Sequence, residues 1–218
     1  NDISTDTESL QYLFDPSSQY DNATNPANCR TSYTNVTGLF QLDENGYYYY
    51  DMRENFAEFR QDINPDGSEN NHFILYDAPA TIRTDAAQSI GNFFPFNKGS
   101  EVFTGIDPDK KTLTSSVNCF GNTMNHHLGM TINVDFRQPA NGFIHTGTAR
   151  QPMTFEFAGD DDVWVFIDDV LVLDLGGTHS EIYGVIDFST GNIAVGQSWK
   201  TNGFPKNSDG TVDIERML

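Results

Sequence analysis

Two apolar runs, VWVFI (163–167) and VLVLDL (170–175), are separated by Asp168-Asp169 alone. So short a connection fits an antiparallel hairpin and nothing larger, because parallel strands need a long crossover. Asp is one of the few residues that tolerate the left-handed backbone of a tight hairpin turn. This pair therefore has a conformational use before any chemical one. The rest of the chain follows the same plan. Gly, Asn, Asp, Ser and Thr punctuate it about every eight to twelve residues, and helical periodicity is nearly absent. Strands are predicted at GYYYYDM (46–52), HFILYDA (72–78), MTINVDF (130–136), MTFEFAG (153–159), VWVFID (163–168), VLVLDL (170–175), YGVIDF (183–188) and NIAV (192–195). Alternation in TINVDF and TFEF predicts one buried and one wet face. DMRENFAEFRQ (51–61) reads as strand or irregular structure rather than helix. Residues 1–38 are loop-rich, and 96–125 is a long excursion between strands. No repeat or linker divides the chain, so the expectation is one all-β domain over 1–218, a sandwich or barrel.

Acidic residues number 31 against 12 Lys and Arg, a formal net charge of −19. That excludes nucleic acid as a default partner and argues against anionic membrane surfaces. No stretch approaches the roughly 18 apolar residues of a membrane span. An acidic surface suits an exported protein and sites for hard cations. The polar opening NDISTDTESLQ reads as that of a processed chain. Cys29 and Cys119 are either one disulfide closing a long loop or two separate thiols. Asn22-Ala-Thr and Asn35-Val-Thr match the N-glycosylation sequon. YYYY (47–50) suggests a sugar-stacking platform, although tyrosines alternating across a half-buried strand explain it as well.

Asp160, Asp161 and Asp162 join two predicted core strands. Uncompensated, such neighbours repel and raise one another's pKa values. No Lys or Arg lies between Gln151 and Thr190. A calcium ion, which takes about six to eight oxygens, is one compensation, and a solvated acidic turn is the other reading. Loop TNGFPKNSDG (201–210) offers Asn202, Asn207 and Asp209 as further ligands, or is an ordinary surface loop.

The block GDDDVWVFIDDVLVLDLGGTHSEIYGVIDFSTGNI (159–193) resembles the fibro-slime domain, a branch of the PA14-like β-sandwich domains. FFPFN (93–97), NHHLGMTINVDF (125–136) and LFQLDENGYYYYDMRENFAEF (39–59) are similar to other parts of fibro-slime domains on bacterial surface proteins. The resemblance implies a PA14-like β-sandwich with long loops and an irregular N-terminal segment. It also implies an Asp160-Asp161 pair, joined by a cis peptide, that grips calcium while vicinal sugar hydroxyls complete the ion's shell. A non-proline cis bond costs about 3–4 kcal/mol and needs enforcement by its surroundings. Two departures stand out. Relatives often carry Asn-Gly or Asp-Gly where this chain has Asp168-Asp169, and the sequence stops at TVDIERML (211–218), before a closing segment that fibro-slime domains usually carry, so the expectation is either an unpaired sandwich edge or an incomplete fragment.

Other candidates are weaker. DINPDGSENNHF (62–73) opens like a calcium loop, but its twelfth position is Phe73 rather than Glu, which favours a plain turn. His126-His127 has no zinc partner at ligand spacing. No nucleophile elbow or phosphate loop is present, and adjacent aspartates cannot flank a glycosidic bond from opposite sides, so no enzyme is expected. The sequence reading is a monomeric adhesin module of a larger secreted or cell-surface protein. Calcium on Asp160 and Asp161 would bridge to a glycan on a host or neighbouring cell, with His179, Tyr183, Trp199 and Phe204 lining the site and Trp164 in the core. Two alternatives stand beside it: a stalk or tip domain that calcium only stiffens, and a tip that binds a protein.

Overall fold

The computed structural model describes residues 32–77, 93–103, 105–113, 125, 128–146, 149–197 and 208. The protein is all-β. Short strands β1 (Gln41–Leu42) and β2 (Tyr48–Tyr49) precede the long hairpin of β3 (Asn55–Ile63) and β4 (Glu69–Asp77). A single helical turn, α1 (Gly99–Val102), leads to β5 (Ile106–Asp107) and β6 (Thr112–Leu113). β7 (Phe143–Thr146), β8 (Ala149–Pro152), β9 (Thr154–Gly159), β10 (Trp164–Ile167), β11 (Val170–Asp174), β12 (Ile182–Asp187) and β13 (Asn192–Gln197) follow. Contacts gather into two compact units, Asn1–Gln41 with Tyr48–Val134, and Leu42–Tyr47 with Asp135–Leu218. Among the described residues no helix is long and apolar enough to cross a membrane.

The first unit holds a four-stranded sheet in the order β3-β4-β6-β5. Phe56, Tyr76, Val102, Phe103 and Leu113 form its core. The segment DINPDGSENNHF forms the β3–β4 turn and its flanking strands. Asp66 accepts from the Ser68 N–H and hydroxyl at 2.9 and 2.7 Å, which holds its carboxyl below the usual range, and Gly67 takes φ 86°.

The second unit carries the hairpin with which the sequence is most explicit. Asp168 and Asp169 have φ of 48° and 64°, the paired left-handed turn that its two-residue length demands. Trp164 pairs with Asp174 and Ile167 with Val170, and Val172 is the extra residue, a bulge in β11 opposite the Val165–Phe166 step. Beside the hairpin lies an antiparallel sheet, β13-β12-β9. Leu173, Leu175, Ile182 and Ile186 form the core between them, with Phe155, Phe157, Val165 and Ile167 packed against it. Trp164, expected in this core, is instead half-buried, its indole beside Gly176, because Val165 and Ile167 take the inward positions of an alternating strand.

Several expectations are corrected. MTINVDF is not a strand: no strand pairs with it among the described residues, and Met130, Ile132, Val134 and Phe136 are all exposed. Alternation fixes which way side chains point, but a strand also needs a partner at hydrogen-bonding distance. GYYYYDM shrinks to the two residues of β2, since Asp43 accepts from the N–H groups of Asn45 and Tyr47 and turns the chain just before it. The β7–β8 hairpin pairs FIHT with ARQP, strands too short and too mixed in polarity to carry a periodic signal.

Tight backbone contacts knit the second unit. Gly142 (φ 66°) faces the Phe188 carbonyl so closely that a Cβ would overlap it, and the Met153 N–H donates to the Gly142 carbonyl at 2.8 Å. Asp187 is fully buried at the end of β12. Its Oδ1 accepts from the Ser189 N–H at 2.8 Å, the Ser189 hydroxyl at 2.6 Å and the Thr190 N–H at 3.3 Å, so one carboxylate holds the β12–β13 turn. Asp187→Ala leaves those donors unsatisfied. It should cost about 1–3 kcal/mol in urea unfolding, with Asp187→Asn costing less because its amide oxygen still accepts.

Candidate functional site

Gly159 ends β9, its Cα so close to the Phe157 ring that a Cβ would lie 2.8 Å from it. The chain leaves the sheet there and runs through Asp160, Asp161 and Asp162, all exposed, to β10. A second segment, following β11, lies against this loop. The Leu175 N–H donates to the Val163 carbonyl at 2.8 Å, and the Gly177 N–H donates to Asp162 Oδ1 at 2.8 Å. Asp174 Oδ1 accepts from the Gly176 N–H at 2.9 Å. Asp162 thus clamps two loops together, and Asp174, which the sequence reading left out, shapes the second loop. Its signal was the Gly176-Gly177 pair, whose free N–H groups suit short side-chain acceptors.

The three neighbours do not behave alike. Although Asp161 keeps an exposed surface, the protein around its carboxyl displaces enough water to push it above its usual range, and the charges of Asp160 and Asp162 push it further. His179 sits opposite them. Its Nε2 lies 2.8 Å from the Leu175 carbonyl and its Nδ1 2.8 Å from the Ser180 carbonyl. Only the imidazolium can donate to both. Those two carbonyls, with the charges of Asp162 and Asp160, raise its pKa. When protonated, this histidine is a cation beside the acids in a segment that has no Lys or Arg.

The residues fit a divalent ion in part. Asp160 and Asp161 supply exposed, acceptor-only carboxylates, but one oxygen of Asp162 is already engaged. Among the described residues no three His, Cys, Asp or Glu side chains are grouped to hold a metal. The expected ligands Asn202, Asn207 and Asp209 lie outside the described residues, as do Trp199, Phe204, Cys29, Cys119 and the His126-His127 pair. The Asp160–Asp161 peptide is trans, correcting the cis bond that the family resemblance implied. The local hydrogen bonds run through Asp162 and Val163, and none of them forces the costlier isomer on the pair. Tyr183 is 4% exposed on β12, its hydroxyl donating to Glu181 Oε1 at 3.1 Å, so it is not presented as a sugar platform.

No family model matches the chain. Among the proteins it is similar to are several of Dictyostelium discoideum. Protein psiE is 37% identical over 109 residues, 50% of this chain and 18% of that protein. Protein psiB is 34% identical over 131 residues, 58% of this chain and 20% of that protein. Protein psiI is 29% identical over 190 residues, 83% of this chain and 21% of that protein. The chain therefore spans about a fifth of the length of these relatives. No solved structure matches.

The raised pKa of His179 has a definite sign in stability. A cation favoured by the fold stabilises it fully below the histidine's unfolded pKa, about 6.5, and the benefit fades as pH rises through the higher folded value. Proton NMR should find His179 titrating above 6.5, with the shift reduced in Asp162→Asn. A midpoint at or below the ordinary value would contradict the two-carbonyl arrangement.

Proposed function

We propose that this chain is a calcium-binding β module of a secreted or cell-surface adhesin, in which an ion at Asp160 and Asp161 stiffens the β9–β10 junction. The observation that carries the reading is the crowding of three carboxylates at that junction with Asp161 held above its ordinary range. His179 offsets part of the charge only while protonated, and no Lys or Arg lies between Gln151 and Thr190. When bound, calcium would supply the missing positive charge to oxygen ligands. The chain's own residues do the rest. Gly159 lets the backbone leave the sheet, and Asp162 ties the loop to Gly177 so that Asp160 and Asp161 stay exposed. In this reading the ion need not meet a sugar, since Tyr183 is buried and both ring nitrogens of His179 are engaged.

Thermal unfolding with calcium, and then with excess chelator, is the test. An ion that binds only the folded state at a hundredfold excess over its dissociation constant adds about 2.7 kcal/mol. For a chain of this size that is roughly 5–10 °C in Tm. Asp161→Asn should remove the calcium response and, in chelator, melt no lower than the wild type, because it removes a repelled charge. An unchanged wild-type midpoint on chelation would reduce the triplet to a solvated turn.

A further inference from the structure

We propose that Asn35 is an N-glycosylation acceptor whose glycan shields the open edge of β4; the proposal rests on the extracellular reading given above. The sequon Asn35-Val36-Thr37 lies in the first unit, in a segment fixed on both sides of the acceptor. Before it, the Tyr33 ring packs 4.3 Å from Phe59 and 6.0 Å from Phe96, and the Thr34 carbonyl accepts from Asn71 Nδ2 at 3.2 Å. After it, the Thr37 N–H donates to the Asn71 carbonyl at 3.2 Å, and the Phe73 N–H donates to the Thr37 carbonyl at 2.8 Å. Between these anchors the chain bends outward. Asn35 takes φ 54°, and both Asn35 and Thr37 are exposed.

Three properties of this bend suit a glycan. The Asn35 amide has no hydrogen-bond partner among the described residues, so converting it breaks no described hydrogen bond. Left-handed backbone is accessible to Asn at little cost, and the residue that takes it here is exposed. Thr37 offers its side chain to solvent while its backbone is held, so both acceptor and hydroxyl are presented together. The covalent step balances simply. Asn35 Nδ2 attacks the anomeric carbon of a lipid-diphosphate-linked oligosaccharide and gives up one proton. The anomeric C–O bond breaks, the lipid diphosphate leaves, and an N-glycosidic bond remains. The similar proteins of Dictyostelium discoideum come from a eukaryote, whose secretory pathway performs this reaction.

The position also gives the glycan physical work. β3 covers one edge of β4 along nine residues, whereas among the described residues the other edge meets β6 only at Asp77 and Thr37 only at His72. An edge with unpaired backbone groups invites pairing with another chain, and bulk placed beside it prevents the approach. A hydrated sugar on Asn35, two residues before the parallel Thr37–His72 bridge, stands beside this edge at its Glu69–Asn70 end.

The chain is to be secreted from Dictyostelium cells behind a grafted secretory leader and digested, then treated with peptide-N-glycosidase in heavy-oxygen water. Asn35 should read as a heavy-oxygen-labelled Asn-to-Asp conversion. Asn35→Gln and Thr37→Ala should each lose one glycan's mass, while Thr37→Ser, which keeps the hydroxyl, should retain it. A bare Asn35 in the secreted wild-type chain overturns the proposal. Because the leader is grafted, the result reports on the acceptor, whereas export of the natural parent chain bears on the extracellular reading alone.

Discussion

At the centre of β12, the side chains of Leu173 and Leu175 occupy the space that a side chain on residue 184 would take: a Cβ on Gly184 would lie 2.7 Å from Leu175 and 3.0 Å from Leu173. The contact brings the β10–β11 hairpin down onto the three-stranded sheet, where Ile182 and Ile186 complete the apolar cluster. Much else in the second unit follows from it. A hairpin held at that distance lets the Leu175 N–H reach the Val163 carbonyl and the Gly177 N–H reach Asp162. Burial against the two leucines is the source of energy, at about 25 cal/mol per Å² of apolar surface removed from water. The hydrogen bonds at the loops convert that packing into position.

The acidic junction is a product of the same arrangement. Three aspartates in a row have no reason to share a small volume in an extended chain, where alternation sends neighbours to opposite sides. Here the return of the chain after β11 folds over them. Asp162 is spent on a backbone N–H, Asp161 is partly desolvated, and His179 is pinned by the carbonyls of Leu175 and Ser180. The site is thus two loops that hold each other, and its electrostatics depend on the protonation of one imidazole.

How far the sequence could be read varied with how local each signal was. The hairpin at Asp168-Asp169 was legible because turn length, residue type and flanking apolar runs all agree within a dozen positions. β9, β12 and β13 were legible for similar reasons. MTINVDF looked equally persuasive and is not a strand, since pairing is a property of two segments and alternation describes one. The crowded carboxylates were legible as a repelling trio, but the divergence among them was not. Whether Asp162 meets Gly177, or His179 meets two carbonyls, depends on how a loop fifteen residues later returns. The trans peptide at Asp160–Asp161 marks the limit of arguing from likeness: a motif transfers residue types more securely than backbone states.

All six residues of β12 are buried, and both of its edges are paired, to β9 on one side and β13 on the other. No amide along that strand can meet solvent unless a neighbouring strand departs first. β9 and β13 each have one edge without a paired strand among the described residues. Opening of this unit is therefore ordered from the outside inward, and deuterium would enter Ile182 to Asp187 last, at a rate set by loss of the whole sheet rather than by fraying. The acidic loop leaves from the end of β9, an outer strand, so it can reshape around a guest while the central strand keeps the record of the fold.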